Sequence, residues 1–402
     1  MRLRVLTLNV WGLPLGLTRH HDSRMQAIGE GFARSGADII ALQEVWTADA
    51  RTLLADAGKR AGYRAIWHRE AAFGGSGLMV LSRLPITGHR FTRFRLAGLP
   101  QRPHHADFYA GKGFVSIELA SDAGPLTLVD THLHAGYSAA DAPDEYRGIR
   151  AAQAVEIAAS LRAVQTPVVA TGDFNTSEDD EAYAILLGLS GLRDLAVVLD
   201  RRQATCLSPH PYRGVDSDAS RIDLVLARGG PSTRLEAISI DRTFDEPLAF
   251  GDEPGAYSDH AGLLATLELT PRLASDAPFA WPPLEPGALD RAEAELQWGI
   301  GSARSRRQRE LGFAAGGLGA GLLAGGGAWR ARSGRRRFLS GLAMGLAGLG
   351  LFGGLTAALG SHWVVENELA GLAAVQEILA RLRTESAQAV RLTPHETSSD
   401  HL

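Results

Sequence analysis

Over roughly the first 270 residues, short apolar runs alternate with stretches in which apolar positions recur every three to four residues. This pattern predicts a mixed sheet flanked by helices. VLTLNV, DIIALQEV, GLMVLS, GFVSIEL, LTLVDTHL, PVVATGDF and RIDLVLA read as strands. Helical periodicity covers 23–35, 48–61, 146–163 and 180–190, and the second of these opens at Thr47, a favourable N-cap. Gly and Pro between the runs mark turns. The opening MRLRVLTLNVWG reads as a strand and lacks the long apolar stretch and small-residue cleavage site of a secretory signal.

The pattern changes after residue 270. From Pro271 to Pro286 the chain is Pro-rich, with WPPLEP at its centre, and predicts an extended linker. A short helical stretch near 288–300 leads into a basic cluster, Arg304, Arg306, Arg307 and Arg309. Two uncharged apolar segments follow, Leu311 to Trp329 and Phe338 to Val365. The second is long enough to cross a hydrocarbon core, which takes about 20 residues, while the first is Gly-rich and marginal in length. Gly341/Gly345 and Gly350/Gly354 have the spacing that lets membrane helices approach closely. A Gly-rich soluble helix hairpin is the competing reading, disfavoured because uncharged runs of this length are rare in soluble domains.

Arg330, Arg332, Arg335, Arg336 and Arg337 separate the two segments, so basic residues stand both before and between them. The positive-inside rule draws both clusters to the cytoplasm, which a re-entrant first segment satisfies and a full hairpin does not. The expected organisation is a catalytic domain over 1–270, a linker and basic juxtamembrane segment over 271–310, and an anchor of one or two spans over 311–365. An amphipathic helix and polar tail complete it over 366–402, with Leu369, Leu372, Gln376, Leu379 and Arg383 along one helical side.

Charge sharpens this division. The formal net charge is −4, yet the stretch from Arg304 to Arg337 holds nine Arg and one Glu, leaving −12 for the remainder. An acidic catalytic portion disfavours nucleic acid as a partner. Cys206 is the single cysteine, which excludes an intrachain disulfide framework and a Cys-rich zinc cluster, and it reads as a small buried residue.

Polar residues gather where the predicted strands end, the place at which open sheets build their sites. Asn9 follows VLTL; Gln43 and Glu44 follow DIIAL; His132 and His134 follow LTLVDT; Asp173 and Asn175 follow PVVATG; Asp223 lies in RIDLVLA. Asp259 and His260 close the loop YSDHAG before another apolar run. Carboxylates and carboxamides suit Mg²⁺, and Asn9 with Glu44 could supply such a site. The histidines read as proton handlers, with a metal role for His132 and His134 as the lesser alternative.

Together TLNVWG, LQEVW, THLHAGY, ATGDFN, RIDLVLA and YSDHAG resemble, in order and spacing, the motif series of the endonuclease/exonuclease/phosphatase superfamily. LQEVW, and THLHA followed by Tyr137, most resemble the neutral sphingomyelinases. DFYAGKGF adds Asp107 and Lys112, similar to an acidic and a basic residue near the active site of those enzymes. The C-terminal apolar segments also resemble the anchors of membrane-bound animal members.

The resemblance implies an α/β (α+β) four-layer sandwich of two mixed sheets flanked by helices, with a transmembrane helical appendage. It implies that Asn9, Glu44 and Asp259 serve Mg²⁺, with Mn²⁺ as the alternative ion. It further implies that His260 is the base oriented by Asp223, that Asp173 and Asn175 position water and phosphate, and that His132 stabilises pentacoordinate phosphorus or assists the leaving group. One departure stands out: nucleases of the superfamily carry an acid at about Gly74 to Gly77, and GGSG has none. Phe244, Leu248 and Phe250, shortly before Asp259, offer an apolar lip, with buried packing as the commoner fate of such residues.

These expectations point to a membrane-anchored phospholipid phosphodiesterase, best matched to sphingomyelin, acting at a lipid bilayer with its catalytic domain on the cytoplasmic side. A nuclease or phosphoinositide phosphatase is the alternative, set back by the acidic charge and by Lys59 and Lys112 being the only lysines. A catalytically silent scaffold ranks last, since every expected polar position is filled.

Overall fold

The first strand, β1 (Arg2–Gly12), shows how the sandwich is built. Its odd positions Leu3 and Val5 enter one apolar cluster, while its even positions Leu6, Leu8 and Val10 enter another. A period-two strand with both faces apolar sits in the middle of a layered structure. In the computed structural model β1 is central to a six-stranded sheet, ordered β11-β14-β1-β2-β4-β3. The partners are β2 (Ile39–Val45), β3 (Ala65–His68), β4 (Met79–Ser82), β11 (Thr233–Thr243) and β14 (Gly262–Pro271). A second six-stranded sheet is ordered β5-β6-β7-β8-β10-β9. It comprises β5 (Ile86–Arg93), β6 (Gly113–Ser121), β7 (Gly124–His132), β8 (Val168–Asp173), β9 (Arg193–Asp194) and β10 (Asp223–Arg228). Each sheet is mixed, with β1 and β2 parallel in one and β7 and β8 parallel in the other.

The described residues are 1–392 without 15, 70–74, 100–101, 103–104, 106, 138–143, 215–217, 278 and 331–336, and the side chains of 337–343, 357, 361 and 389–392 are also outside that set. Gly74, Arg332, Arg335, Arg336, the side chain of Arg337 and the tail past residue 392 therefore lie outside the described residues.

Leu3, Val5, Ile39 and Val80 from the first sheet meet Leu126, Leu128, Val169 and Val225 from the second between the two layers. The outer face of the first sheet is covered by α1 (His21–Ser35) and α2 (Ala48–Arg60), through Met25, Ile28, Phe32 and Leu54. Thr47 caps α2 as expected, accepting from the Ala50 N–H at 3.1 Å. On the other side lie α3 (Arg147–Arg162) and α4 (Glu181–Ser190), and the run of buried Ala151, Ala152, Ala154 and Ala158 keeps α3 close to its neighbours. The expected four-layer sandwich is thus what the chain forms.

The inner faces carry a gradient that decides where the site falls. Along β1, β2, β7 and β8 the apolar inner positions give way first to Thr7, Gln43, Asp130 and Thr171. Gln43 Nε2 donates to Asp130 Oδ1 at 2.7 Å and to Thr7 Oγ1 at 3.1 Å, so this buried polar layer is bonded within itself. Burial pushes the Asp130 carboxyl well above its ordinary value, which keeps its proton and removes the cost of a buried charge. One step further along each strand stand Asn9, His132 and Asp173, with Asp223 opposite Asp173 across the ladder.

Among the described residues the compact unit runs past residue 270: it takes in the chain up to Glu295 and again from Glu377, and Leu296–Gln376 forms the other unit. The expected linker is irregular in backbone but anchored to the sandwich. Trp281 lies against the Arg228 guanidinium at 4.7 Å, Leu284 is buried, and the Glu285 N–H donates to Gly188 O at 3.0 Å. The short helix expected near 288–300 is the start of a continuous 45-residue helix, α6 (Pro286–Arg330), whose Glu295 pairs with Arg147. Likewise α7 (Arg337–Leu392) joins the second apolar segment to the amphipathic stretch without a break, because no proline interrupts it.

Within the second unit α6 and α7 run against each other. A Cβ at Gly321 would come within 2.9 Å of Ala347 O, and one at Gly354 within 2.8 Å of Ala314 O, so the small residues permit backbone contact. Gly350 faces Gly317 in the same way, whereas Gly345 faces open space. Arg306 pairs with Glu368, and Arg307 with Glu366 at 2.8 Å. Both helices are long and apolar enough to cross a membrane, and little of their apolar surface is buried. A soluble core helix would bury that surface; here Phe313, Leu323, Leu349 and Phe352 are among the large apolar side chains left exposed.

Candidate active site

Asn9, Glu44, His132 and Asp173 converge at one end of the sandwich, beside a cavity of about 500 Å³ also lined by Asp107, Lys112, Asn175, Asp259 and His260. Strand alternation delivers Asn9, His132, Asp173 and Asp223, but Glu44 needs more. As the even-numbered neighbour of Leu42 it would follow the outer face, and its left-handed backbone, φ 63°, breaks the alternation and brings it to the cavity. Trp11 and Asn175, also at the cavity, have φ of 49° and 46°. Non-glycine residues in this region cost about 1–3 kcal/mol each and persist where the surroundings hold them.

The side chains form a connected set. Asn9 Nδ2 donates to Glu44 Oε1 at 3.0 Å and to Asp173 Oδ2 at 2.9 Å, while Asn9 Oδ1 accepts from the Trp11 N–H at 2.9 Å. Asp173 Oδ1 accepts from the Asn175 N–H at 2.9 Å, and Asn175 Nδ2 donates to Leu133 O at 3.0 Å. His260 Nδ1 pairs with Asp223 Oδ2 at 2.8 Å, its Nε2 lying 4.0 Å from Asp173 Oδ2. Lys112 Nζ sits 2.9 Å from His132 Nε2, 2.7 Å from Leu133 O and 2.5 Å from Asp107 Oδ1. Asp259 accepts from the Ser258 hydroxyl at 3.3 Å and faces the same cavity. Gly172 makes the join between β7 and β8 possible: its φ is 140°, and a Cβ there would meet Thr131 O at 2.0 Å.

Burial and neighbouring charge separate these groups electrostatically. Burial, with Asp259 beside it, raises the Glu44 carboxyl. Burial and then Asp223 raise Asp173 to about 7. Burial would raise Asp107 as well, but Lys112, His134 and His132 bring it down to about 2. Burial and the Lys112 charge push His132 well below its ordinary value, so it is neutral. Burial also opposes charge on His260, but Asp223, Cys206 and Asp259 outweigh it and hold that imidazole well above the usual range.

The donor set fits a hard cation. Glu44 Oε2 is buried with no hydrogen-bond partner among the described residues, and Glu44, His132 and Asp173 offer ligand atoms within 4.8 Å of one another. His134 does not join His132 there: its Nδ1 faces Ala135 O at 2.8 Å and Asp107 Oδ2 at 3.4 Å, and its ring stacks on Tyr146 at 4.1 Å. Gln43 points between the sheets and away from the cavity.

Several features were not visible in the sequence pattern. Trp11, Trp46 and Tyr109 line the cavity, and Trp46 lies over Gly77, where a Cβ would come within 2.6 Å of its ring. That contact accounts for the absence of an acid at Gly77. Of the two fates open to the lip candidates, Phe244 takes burial, packed against Tyr257 and the backbone of Gly31, because a benzyl group fills the notch a glycine leaves. Leu248 and Phe250 are half-buried. No sequence signal singled out the fully buried Arg24.

Residues 6–260 match the Endonuclease/Exonuclease/phosphatase family model, and the chain belongs to that family, in its neutral sphingomyelinase-like branch. It is 30% identical over 338 residues to Sphingomyelin phosphodiesterase 2 of Homo sapiens, across 76% of this chain and 74% of that one. A Putative neutral sphingomyelinase of Drosophila melanogaster is 30% identical over 67% of this chain, and the match spans 61% of the fly protein. Inositol phosphosphingolipids phospholipase C of Schizosaccharomyces pombe is 36% identical over 43% of this chain and 41% of its own length. Among solved structures, Sphingomyelinase C from Streptomyces griseocarneus superposes with a TM-score of 0.52 at 21% identity, covering 66% of this chain and 99% of that one. A beta toxin mutant from Staphylococcus aureus with bound magnesium ions gives 0.52 at 17% identity, covering 66% and 99%. At these identities the structures speak for the fold. Family and relatives together define a phosphoric diester hydrolase.

Proposed function

We propose that this hydrolase cleaves sphingomyelin between the lipid oxygen and phosphorus, with Mg²⁺, releasing ceramide and phosphocholine. The observation that carries the reading is the His260–Asp223 pair facing Asp173, Glu44 and His132 across one cavity, in a chain similar to sphingomyelin phosphodiesterases. Glu44, with Asp259 beside it, would hold the ion; Asn9, expected as a ligand, engages its Oδ1 with the Trp11 N–H and would orient the Glu44 carboxylate through Nδ2. Bound there, Mg²⁺ would neutralise phosphate charge and, by opposing the field of the carboxylates, favour the neutral form of His260.

His260 takes a proton from the attacking water on Nε2, since Nδ1 is engaged by Asp223. The water oxygen bonds to phosphorus as the bond from phosphorus to the ceramide oxygen breaks; the departing oxygen takes a proton from solvent, and His260 then returns its own proton to solvent. Asp173 and Asn175 orient water and phosphate oxygens, and His132, kept beside Lys112, stabilises the charge that develops on pentacoordinate phosphorus. The likeness to the S. pombe inositol phosphosphingolipid enzyme supports a second reading, an inositol phosphate headgroup on a ceramide.

Headgroup release from mixed micelles of sphingomyelin, inositol phosphoceramide, phosphatidylcholine and phosphoinositides, with Mg²⁺ or EDTA, tests both. Mg²⁺-dependent phosphocholine release from sphingomyelin, lost in Glu44→Ala and His260→Ala, is expected. Preferential inositol phosphate release would install the second reading, and plasmid cleavage without lipid turnover would return the chain to the nucleases.

The apolar helices support a membrane anchor, and we place the catalytic domain on the cytoplasmic side on the strength of Arg304, Arg306, Arg307 and Arg309. Arg330 to Arg337 argue for the opposite face if both helices span, so protease accessibility in sealed inverted vesicles is discriminating. Protection of the catalytic domain there would overturn the placement.

A further inference from the structure

We propose that Arg24, a residue outside the motif series, is the positioning residue that fixes the metal-binding arm of the site. The inference rests on the metal reading given above. Arg24 is fully buried on α1, and its guanidinium donates to main-chain carbonyls: Nε to Arg19 O at 2.9 Å, Nη1 to Val10 O at 2.8 Å and Tyr257 O at 3.1 Å, Nη2 to Trp11 O at 2.8 Å. It forms no ion pair among the described residues. A buried cation without a carboxylate partner is costly, and burial does lower the Arg24 pKa. The fork of a guanidinium, with five N–H donors at fixed angles, is the side chain that can gather several carbonyls from different segments at once.

Three of those carbonyls belong to the two segments that carry Asn9 and Asp259, and Arg19 O ties the guanidinium to its own helix. Trp11 has φ 49°, a left-handed conformation held by its carbonyl on Arg24 and by its ring under the guanidinium at 4.9 Å. Held so, the Trp11 N–H donates to Asn9 Oδ1, which turns Asn9 Nδ2 onto Glu44 and Asp173. The bond to Tyr257 O fixes the other segment two residues before Asp259 and three before His260. Arg24 thus joins two loops from separate parts of the chain, and its charge lies in the field of Glu44 and Asp259. The charge offsets the mutual repulsion of Glu44 and Asp259 before an ion arrives, and the fork sets the backbone on which Asn9 and Asp259 stand; the second contribution is the one that positions the site.

Lys has the charge but only one nitrogen, and Met has the bulk alone, so Arg24→Lys and Arg24→Met separate the two. Full-length variants in detergent are first compared by circular dichroism and thermal melting. Mn²⁺ binding is then followed by the electron paramagnetic resonance signal of free Mn²⁺, with Glu44→Ala as the reference for loss of the site. The expected result is a Kd for Mn²⁺ weakened at least tenfold in folded Arg24→Lys and more in Arg24→Met, with the Mg²⁺ concentration for half-maximal activity shifted in parallel. A folded Arg24→Lys protein that binds Mn²⁺ within twofold of wild type, losing only kcat or thermal stability, overturns the positioning role. If wild type and Glu44→Ala bind Mn²⁺ alike, the metal reading itself fails and takes this inference with it. Failure of the sphingomyelin assay alone leaves the Mn²⁺ comparison standing as the test.

Discussion

His260 and Asp223 lie 2.8 Å apart, Nδ1 to Oδ2, although 36 residues separate them in the chain and neither belongs to the same strand. The carboxylate is the first residue of β10 and the imidazole closes the loop before β14, so the two sheets contribute one partner each. Asp223 sets which nitrogen of His260 faces the cavity. In Asp223→Asn the amide can orient the ring but no longer stabilises the imidazolium formed on proton transfer. We expect kcat to fall by about two to four orders of magnitude with KM nearly unchanged, from the usual worth of general-base catalysis. Steady-state phosphocholine release checks this, and a loss confined to KM would remove Asp223 from the catalytic pair.

Glu44 offers a different readout. Its buried, unpartnered oxygen and raised pKa mean that, without a cation, its negative charge is unfavourable in the fold. Glu44→Gln should melt at or above the wild-type temperature in EDTA. Mg²⁺ at about a hundred times its Kd should stabilise wild type by about 2.7 kcal/mol and the variant not at all. Differential scanning fluorimetry with and without Mg²⁺ measures both, and an equal shift in the two proteins would place the cation elsewhere.

Glu156 makes stability depend on pH away from the site. Burial raises its carboxyl to about 7, against the partial relief of the Arg95 N–H at 3.1 Å and the Arg95 guanidinium. A carboxyl raised in the folded state binds more protons there than in the unfolded chain. Its stabilisation is therefore complete below the unfolded value, near 4.5, and is lost as pH rises through about 7. Glu156→Gln keeps the acceptor and removes the charge, so it should raise stability at pH 8 by up to about 3 kcal/mol and flatten the curve between pH 5 and 8. Urea melts across that range decide the matter; an unchanged slope would mean that Glu156 ionises freely.

Gly172 tests the backbone that supports the site. Alanine there brings a Cβ to 2.0 Å from Thr131 O at a φ of 140°, which side chains avoid. We expect Gly172→Ala to cost more than about 2 kcal/mol and to lower activity in the fraction that remains folded, because Asp173 must move with its neighbour. Retention of wild-type melting and kcat would contradict the close approach of β7 and β8.

Much of this could be read from the chain alone, for a definite reason. Period-two alternation places Asn9, His132 and Asp173 on the same face as Val5, Leu128 and Val169, so a strand pattern that ends in a polar residue already says which face the site shares. The uncharged runs before and after Arg330 are likewise a one-dimensional property, and a helix period needs only local sequence.

Tertiary structure alone decided what depends on contacts between distant segments. The alternation of β2 sends Glu44 away from the site, and only a left-handed residue held by its surroundings returns it. Phe244, Leu248 and Phe250 look alike in the chain, and only the notch left by Gly31 decides that Phe244 is the buried one. Arg24 looks like an ordinary polar residue on a helix, since nothing local reveals that the carbonyls of Val10, Trp11 and Tyr257 will meet around it. Local patterning determines which faces are buried, whereas the position of a buried cation or a turned carboxylate is set by the sum of partners that only the folded chain assembles.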